Sequence, residues 1–239
     1  MLAARTALLF PHWRDRLASQ CAICRSWPSR PVCDACVARF APPVSRCRTC
    51  ALPVPEGAER CGECTTGPPP LDACVASCSY VWPWPERVAR FKFRGEAGWA
   101  KPFSTLMRSA PWAEPALDAA QRVLPMPLGP RRLRERGFNQ ALELARRLAS
   151  DKTDASLLLR TRDTPAQSGL SRAERLTNLA GAFALDPMRA GAIRGERVVL
   201  VDDVMTSGAS LFAAARVLRE AGATHIAAIV FARTDPPES

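Results

Sequence analysis

The sequence predicts an α/β protein: a mainly parallel sheet flanked by helices, with a small N-terminal domain ahead of it. Three observations predict this. From about residue 71, short apolar strands alternate with amphipathic helical stretches. Before that point, Cys-x-x-Cys pairs replace the aliphatic residues that a core needs. Near the C-terminus, VVLVDDVMTSGAS (198–210) carries a buried-type strand into two adjacent aspartates and a small-residue loop. Strand–helix alternation implies crossover connections and parallel pairing, and such sheets bind ligands beyond the carboxyl ends of their strands.

The elements follow in order. Residues 1–18 (MLAARTALLFPHWRDRLA) break their apolar patch with charge and read as an amphipathic helix, a better match than a secretion signal. Residues 19–66 form the cysteine-rich domain, and 71–239 the α/β domain. LDACVASCSYVW reads as its first strand, with Cys74 and Cys78 as small core residues. Residues 84–94 and 98–110 read as helices, and RVLPMP (122–127) as a strand that proline ends. Asn139 caps QALELARRLAS, with Leu142, Ala145 and Leu148 or Ala149 on one face. SLLLR (156–160) and GAFAL (181–185) are short strands, and ERVVLVDD (196–203) is the clearest strand. ASLFAAARVLREAG is a helix closed by Gly222, and HIAAIVFAR is the last strand.

The formal net charge is +10, yet only three of the 33 basic residues are lysine. Composition bias toward arginine therefore weakens the total as a sign of anionic partners, and position matters more. No apolar run reaches the ~18–20 residues of a membrane span, so a cytoplasmic protein is expected. In that compartment ten cysteines need an explanation other than disulfides.

Eight of them form four identical pairs: Cys21/Cys24, Cys33/Cys36, Cys47/Cys50 and Cys61/Cys64, with 8, 10 and 10 residues between pairs. A two-residue spacing lets both thiolates face one tetrahedral ion, and four sulfurs suit zinc. Sequential grouping gives Cys21, Cys24, Cys33 and Cys36 for one zinc, and Cys47, Cys50, Cys61 and Cys64 for a second. A cross-braced arrangement is the alternative, with longer loops to close. Sulfur-saturated sites leave no open position for substrate, so both are expected to be structural.

Two like charges at the exit of a buried strand repel one another, so structure gives little reason for Asp202 and Asp203. A ligand gives one. Gly208 admits close backbone approach, the helix start attracts an anion, and Thr206, Ser207 and Ser210 add hydroxyls beside Ala209. Carboxylates beside that cradle accept hydrogen bonds from adjacent ribose hydroxyls, so a ribose 5-phosphate satisfies both halves. A chance acidic pair in an ordinary βα turn is the plain alternative.

The thirteen residues VVLVDDVMTSGAS resemble the signature with which type I phosphoribosyltransferases hold 5-phosphoribosyl 1-pyrophosphate (PRPP). Four Cys-x-x-Cys knuckles ahead of it, with PMPLGPRRLRERGFNQALELA between, resemble the ComF family of competence-associated proteins from about Cys21 to Arg233. That resemblance implies a double zinc ribbon, a phosphoribosyltransferase-like fold and a role in DNA uptake during natural transformation. It further implies pyrophosphate binding by the arginine loop (Arg131, Arg132, Arg136), with magnesium bridging pyrophosphate and ribose. It implies a mobile loop at 160–183 that closes over PRPP through Gln167, Arg172, Arg175 and Asn178. Lys92 and Arg94 of FKFRG are further anion contacts. Each has a plainer reading: a solvated arginine-rich loop and an ordinary long connection. Two functions stay open. One is phosphoribosyl transfer to an unread acceptor. The other is binding of single-stranded DNA, with competence-machinery partners, on a non-catalytic scaffold.

Overall fold

Four parallel strands form the central sheet, in the order β1 (Ala73–Ser79), β6 (His225–Arg233), β5 (Arg197–Met205), β2 (Arg122–Pro125). They belong to a computed structural model that describes residues 19–162 and 181–235. The expected N-terminal helix and the four mobile-loop residues Gln167, Arg172, Arg175 and Asn178 lie outside the described residues. The chain divides into two compact units, Met1–Pro42 and Pro43–Ser239. The division falls between the second and third cysteine pairs, so the second four-cysteine group is part of the larger unit.

In the smaller unit, a bridge between Ser19 and Ser29 precedes α1 (Asp34–Phe40). In the larger, α2 (Gly62–Thr66) carries Cys64 and is followed by β1. Then come α3 (Trp84–Phe93), a 3-10 turn at Ala97–Trp99, α4 (Ala100–Ser109) and α5 (Ala113–Ala119). After β2 follow α6 (Pro130–Arg136), α7 (Gln140–Ala149), β3 (Leu158–Arg160), β4 (Phe183–Leu185), β5, α8 (Ala209–Glu220) and β6.

Alternation along β6 sorts its side chains onto two faces. Phe231 meets the Trp84 ring edge-on at 5.3 Å and stacks on Phe103 at 4.0 Å, which seats α3 and α4. Ile226, Ala228 and Val230 instead join a core containing Leu211, Phe212 and Leu218 of α8, together with Cys47, Cys50 and Cys64. Each fully buried Leu or Phe contributes about 1.5–3 kcal/mol, so both faces are well anchored.

Three readings need correction. SLLLR and GAFAL do form strands, but they pair with each other antiparallel, Leu158 opposite Leu185, in a separate two-stranded sheet. The run at 130–136 is a helix rather than a loop: Pro130 presets its first turn, Arg131 pairs with Glu135 at 3.0 Å, and left-handed Gly137 closes it. On α7, Leu144 is buried where Leu142 was expected, while Asn139 caps as read, accepting from the Leu142 amide at 3.3 Å. Helix α5 escaped notice because seven residues with a proline make no periodic pattern.

Candidate functional site

The site is built where β5 ends and α8 begins. Valines and leucine at 198–201 sit between β2 and β6, fully buried, as an aliphatic run in a central parallel strand should. The strand continues past the acids to Met205. Asp202 and Asp203 are therefore consecutive strand residues whose side chains leave in opposite directions.

Their environments differ accordingly. Asp203 is only 4% exposed, and its Oδ1 lies 2.7 Å from Lys92 Nζ at the end of α3. Asp202 is half-buried and accepts the Asp203 amide N–H at 2.9 Å. Burial, and then the neighbouring Asp203 charge, push the Asp202 carboxyl up to about 7 against the opposing pull of Lys92 and Arg136. The Arg136 guanidinium, lowered chiefly by its own burial, lies in the field of both acids and rests 5.1 Å from the centroid of the exposed Phe93 ring. It also donates to Gln140 Oε1 at 3.0 Å. Gln140 is 2% exposed and its Nε2 has no partner among the described residues. Such a donor beside a guanidinium suits an oxyanion.

The raised carboxyl sets a pH dependence. The native Asp202 holds a proton that the unfolded chain, with its ordinary carboxyl near 4, has already released, so stability falls as pH rises from about 4 to about 7. Asp202→Asn removes that penalty and should raise the melting temperature at pH 8 by a few degrees. Asp203→Asn should lower it, at a cost of about 1–3 kcal/mol, because Lys92 loses its counter-charge. Thermal melts at pH 5 and 8 read both signs.

After Met205 come Thr206, Ser207 and Gly208, then α8 from Ala209. Gly208 has φ +79°, and a Cβ there would stand 2.5 Å from Met205 Cε and 2.7 Å from Phe212 Cζ. The glycine is thus demanded by packing beneath the loop as well as by backbone hand. Ser207 Oγ accepts from the Ala209 amide at 3.4 Å. Thr206 is exposed, Ser207 and Ser210 half-buried, Ala209 buried.

Of the predicted residues, the fold brings Asp202, Asp203, Arg136 and loop 206–210 to one edge. Arg132 sits a turn behind Arg136 on α6, and Arg131 faces solvent with Glu135. Lys92, read only as a further anion contact, is the direct partner of Asp203. Sequence reasoning missed Gln140 and Arg233. Arg233 is a charge ending the otherwise apolar HIAAIVFAR, and that anomaly was its available signal.

The eight knuckle cysteines group sequentially, as favoured, each set with all four sulfurs within 4.8 Å of one another. Sulfurs about 2.3 Å from a shared ion stand about 3.8 Å apart. Cys21–Cys36 at 3.8 Å, Cys24–Cys33 at 3.6 Å and Cys50–Cys61 at 3.6 Å match that edge, so both donor sets fit zinc. Cys74 and Cys78, pushed up to about 12 by burial, are core thiols. Among the described residues no helix is long and apolar enough to cross a membrane.

A model of the phosphoribosyl transferase domain matches residues 134–239. The DNA utilization protein YhgH of Escherichia coli is 30% identical over 179 residues, 72% of this chain and 77% of that protein. Competence protein F of Haemophilus influenzae is 31% identical over 172 residues, 69% of this chain and 74% of that one. The chain belongs to the ComF family. Competence protein ComFC of Bacillus subtilis is a further relative, 34% identical over 137 residues, 57% of this chain and 54% of that protein. Within this ComF chain, the phosphoribosyl transferase match begins inside α6, so it includes Arg136, the acids and loop 206–210 but neither Lys92 nor Arg131 and Arg132.

Proposed function

We propose that this ComF protein binds PRPP with magnesium at the carboxyl edge of β5 and acts in DNA uptake. The observation that carries the reading is the acidic pair running directly into a glycine-demanding turn at the start of α8. Amides and hydroxyls of 206–210 hold the 5-phosphate, and Asp202 and Asp203 orient the ribose hydroxyls. Arg132, Arg136 and Lys92 meet the pyrophosphate, with the Gln140 amide beside them. The metal, when bound with PRPP, neutralises pyrophosphate charge and asks for few protein ligands. Gln167, Arg172, Arg175 and Asn178 are assigned to a cover over the sugar, from the family resemblance. In the transfer reading, an acceptor atom bonds to the anomeric carbon as pyrophosphate departs with the bonding pair. The biological context comes from relatives named for competence and DNA utilization.

A thermal-shift titration tests the ligand. At a hundred times its Kd, PRPP with magnesium adds about 2.7 kcal/mol of stability, or roughly 5–10 °C for a chain of this size. No shift at millimolar PRPP contradicts the reading.

The rival, single-stranded DNA binding, is favoured by one observation: exposed Arg131 and Arg134 on α6 lie on the helix whose Arg136 rests against the 70%-exposed Phe93 ring. Affinity for a labelled oligonucleotide that falls steeply with salt, and persists in Asp202→Asn, supports that rival.

A further inference from the structure

We infer that Arg233 is the positioning residue of loop 206–210, and that it ties the loop to the second four-cysteine group. Arg233 ends β6, is 5% exposed, and reaches with its guanidinium both the Cys50 turn and the end of β5. Its Nε donates to the carbonyl of Cys50 at 2.9 Å. Its Nη1 donates to the carbonyls of Met205 at 3.0 Å, Thr206, and Thr234 at 2.6 Å.

The chemistry of the peptide unit gives these bonds their consequence. In a trans peptide the carbonyl and the following N–H point in opposite directions. Holding the Met205 and Thr206 carbonyls on Arg233 therefore aims the amides of Thr206 and Ser207 away from it. Those are the first two N–H groups of the loop assigned to the 5-phosphate. A buried guanidinium that holds carbonyls on one side of a turn thus presents donors on the other. The Thr234 amide, donating to the Met205 carbonyl at 3.0 Å, fixes the same group from just beyond the end of β6.

The other end of the fork rests on a metal knuckle. Cys50 is a member of the second four-sulfur group, and the turn after it is tight: Ala51 is left-handed at φ +57°, its amide donating to Cys47 at 2.8 Å. A metal on Cys47, Cys50, Cys61 and Cys64 fixes that turn and with it the Cys50 carbonyl. Side chains bridge the same gap, since Cys74 Sγ lies 3.6 Å from Met205 Sδ and both belong to the core shared with Cys50 and Cys64. Order in the knuckle is thereby passed to the loop through the Arg233 fork, with the Cys74–Met205 contact beside it. The second group then does more than stabilise: through Arg233 it sets the geometry of the anion cradle.

The effect on affinity rests on the PRPP reading; the effect on the loop does not. Hydrogen–deuterium exchange on the ligand-free, zinc-loaded full chain tests it. Lysine keeps the charge but lacks the fork, so in Arg233→Lys it serves the loop carbonyls or Cys50, not both. We expect exchange at 206–212 to rise about tenfold or more, with α7 and β2 unchanged and two zinc ions retained. Ribose 5-phosphate should bind about tenfold more weakly. Unchanged exchange at 206–212, or a rise spread evenly over α7 and β2, overturns the positioning role. If Arg233→Lys does not fold, the native chain serves: gradual zinc withdrawal should release 206–212 before α7, and the reverse order overturns the coupling. Failure of the native chain to bind PRPP overturns the ligand assignment instead, and leaves the exchange result to decide the clamp.

Discussion

Gly208→Ala should abolish ligand binding and lower the melting temperature by roughly 6–12 °C, the largest effect expected of a Cβ added at any described glycine. Two costs coincide there. The backbone is left-handed, at φ +79°, which an L side chain resists by about 1–2 kcal/mol. The new Cβ would stand 2.5 Å from Met205 Cε and 2.7 and 2.8 Å from two Phe212 ring carbons. Met205 Cε is the end of a flexible side chain and can shift, but the buried Phe212 ring has no such freedom, and overpacking of this kind costs about 1–3 kcal/mol more. Whatever relief the backbone finds must move the loop, because Met205 is the strand residue that leads into it and Phe212 lies in the first turn of α8. Gly137 is the control. It is equally left-handed at φ +77°, but a Cβ there meets nothing within 4 Å. Gly137→Ala should cost only that backbone term, about 1–2 kcal/mol, and affinity for PRPP should stay within a few-fold of native. Calorimetric melts and binding on the two variants separate packing from backbone hand.

Metal withdrawal should divide the molecule in two. Cys47, Cys50 and Cys64 are buried in the core that holds α8 against the sheet, whereas Cys24 of the first group is exposed. The sequence 43–70 is rich in proline and poor in aliphatic residues, so without an ion its four thiols bring little cohesion of their own. Although burial pushes its thiol up, backbone N–H groups at Cys61, Thr49 and Cys50, with the Thr49 hydroxyl, bring Cys47 down to about 6, which favours the thiolate a metal takes. Cys64→Ser should therefore cost the larger unit its cooperative thermal transition and its ligand together. Cys24→Ser should lose one zinc ion and leave the transition of the larger unit, and its PRPP affinity, close to native. Metal content by mass spectrometry and melts by circular dichroism read both. Equal losses in the two variants contradict this division.

Much of this was legible in the sequence because local signals agreed. Residues 197–205 and 225–233 are apolar enough to be central strands, Asn139 is a strong cap, and four identical cysteine pairs could hardly mean anything but two four-sulfur sites. The acidic pair stood out since burial offers it no reward. What stayed hidden is tertiary. Lys92 lies 111 residues from Asp203, and no pattern along the chain announces their pairing. Arg233 reaches Cys50 across 183 residues for the same reason. The arginines of α6 looked like a loop because charge dominates the segment, while the Pro130 start and Gly137 stop that make it a helix are only punctuation. The pairing of β3 with β4 needed knowledge of which edge each three-residue strand finds.

The acids and the turn after them are proposed as one PRPP site. Isothermal titration calorimetry of PRPP into the zinc-loaded chain, with and without magnesium and repeated on Asp202→Asn, tests it most directly. Magnesium-dependent binding is expected, strengthening from pH 6 to pH 8 as Asp202 loses its proton and weakening at least about a hundredfold in the Asp202→Asn chain with its fold intact. Native binding that is absent, or that is indifferent to magnesium and to Asp202, would contradict it.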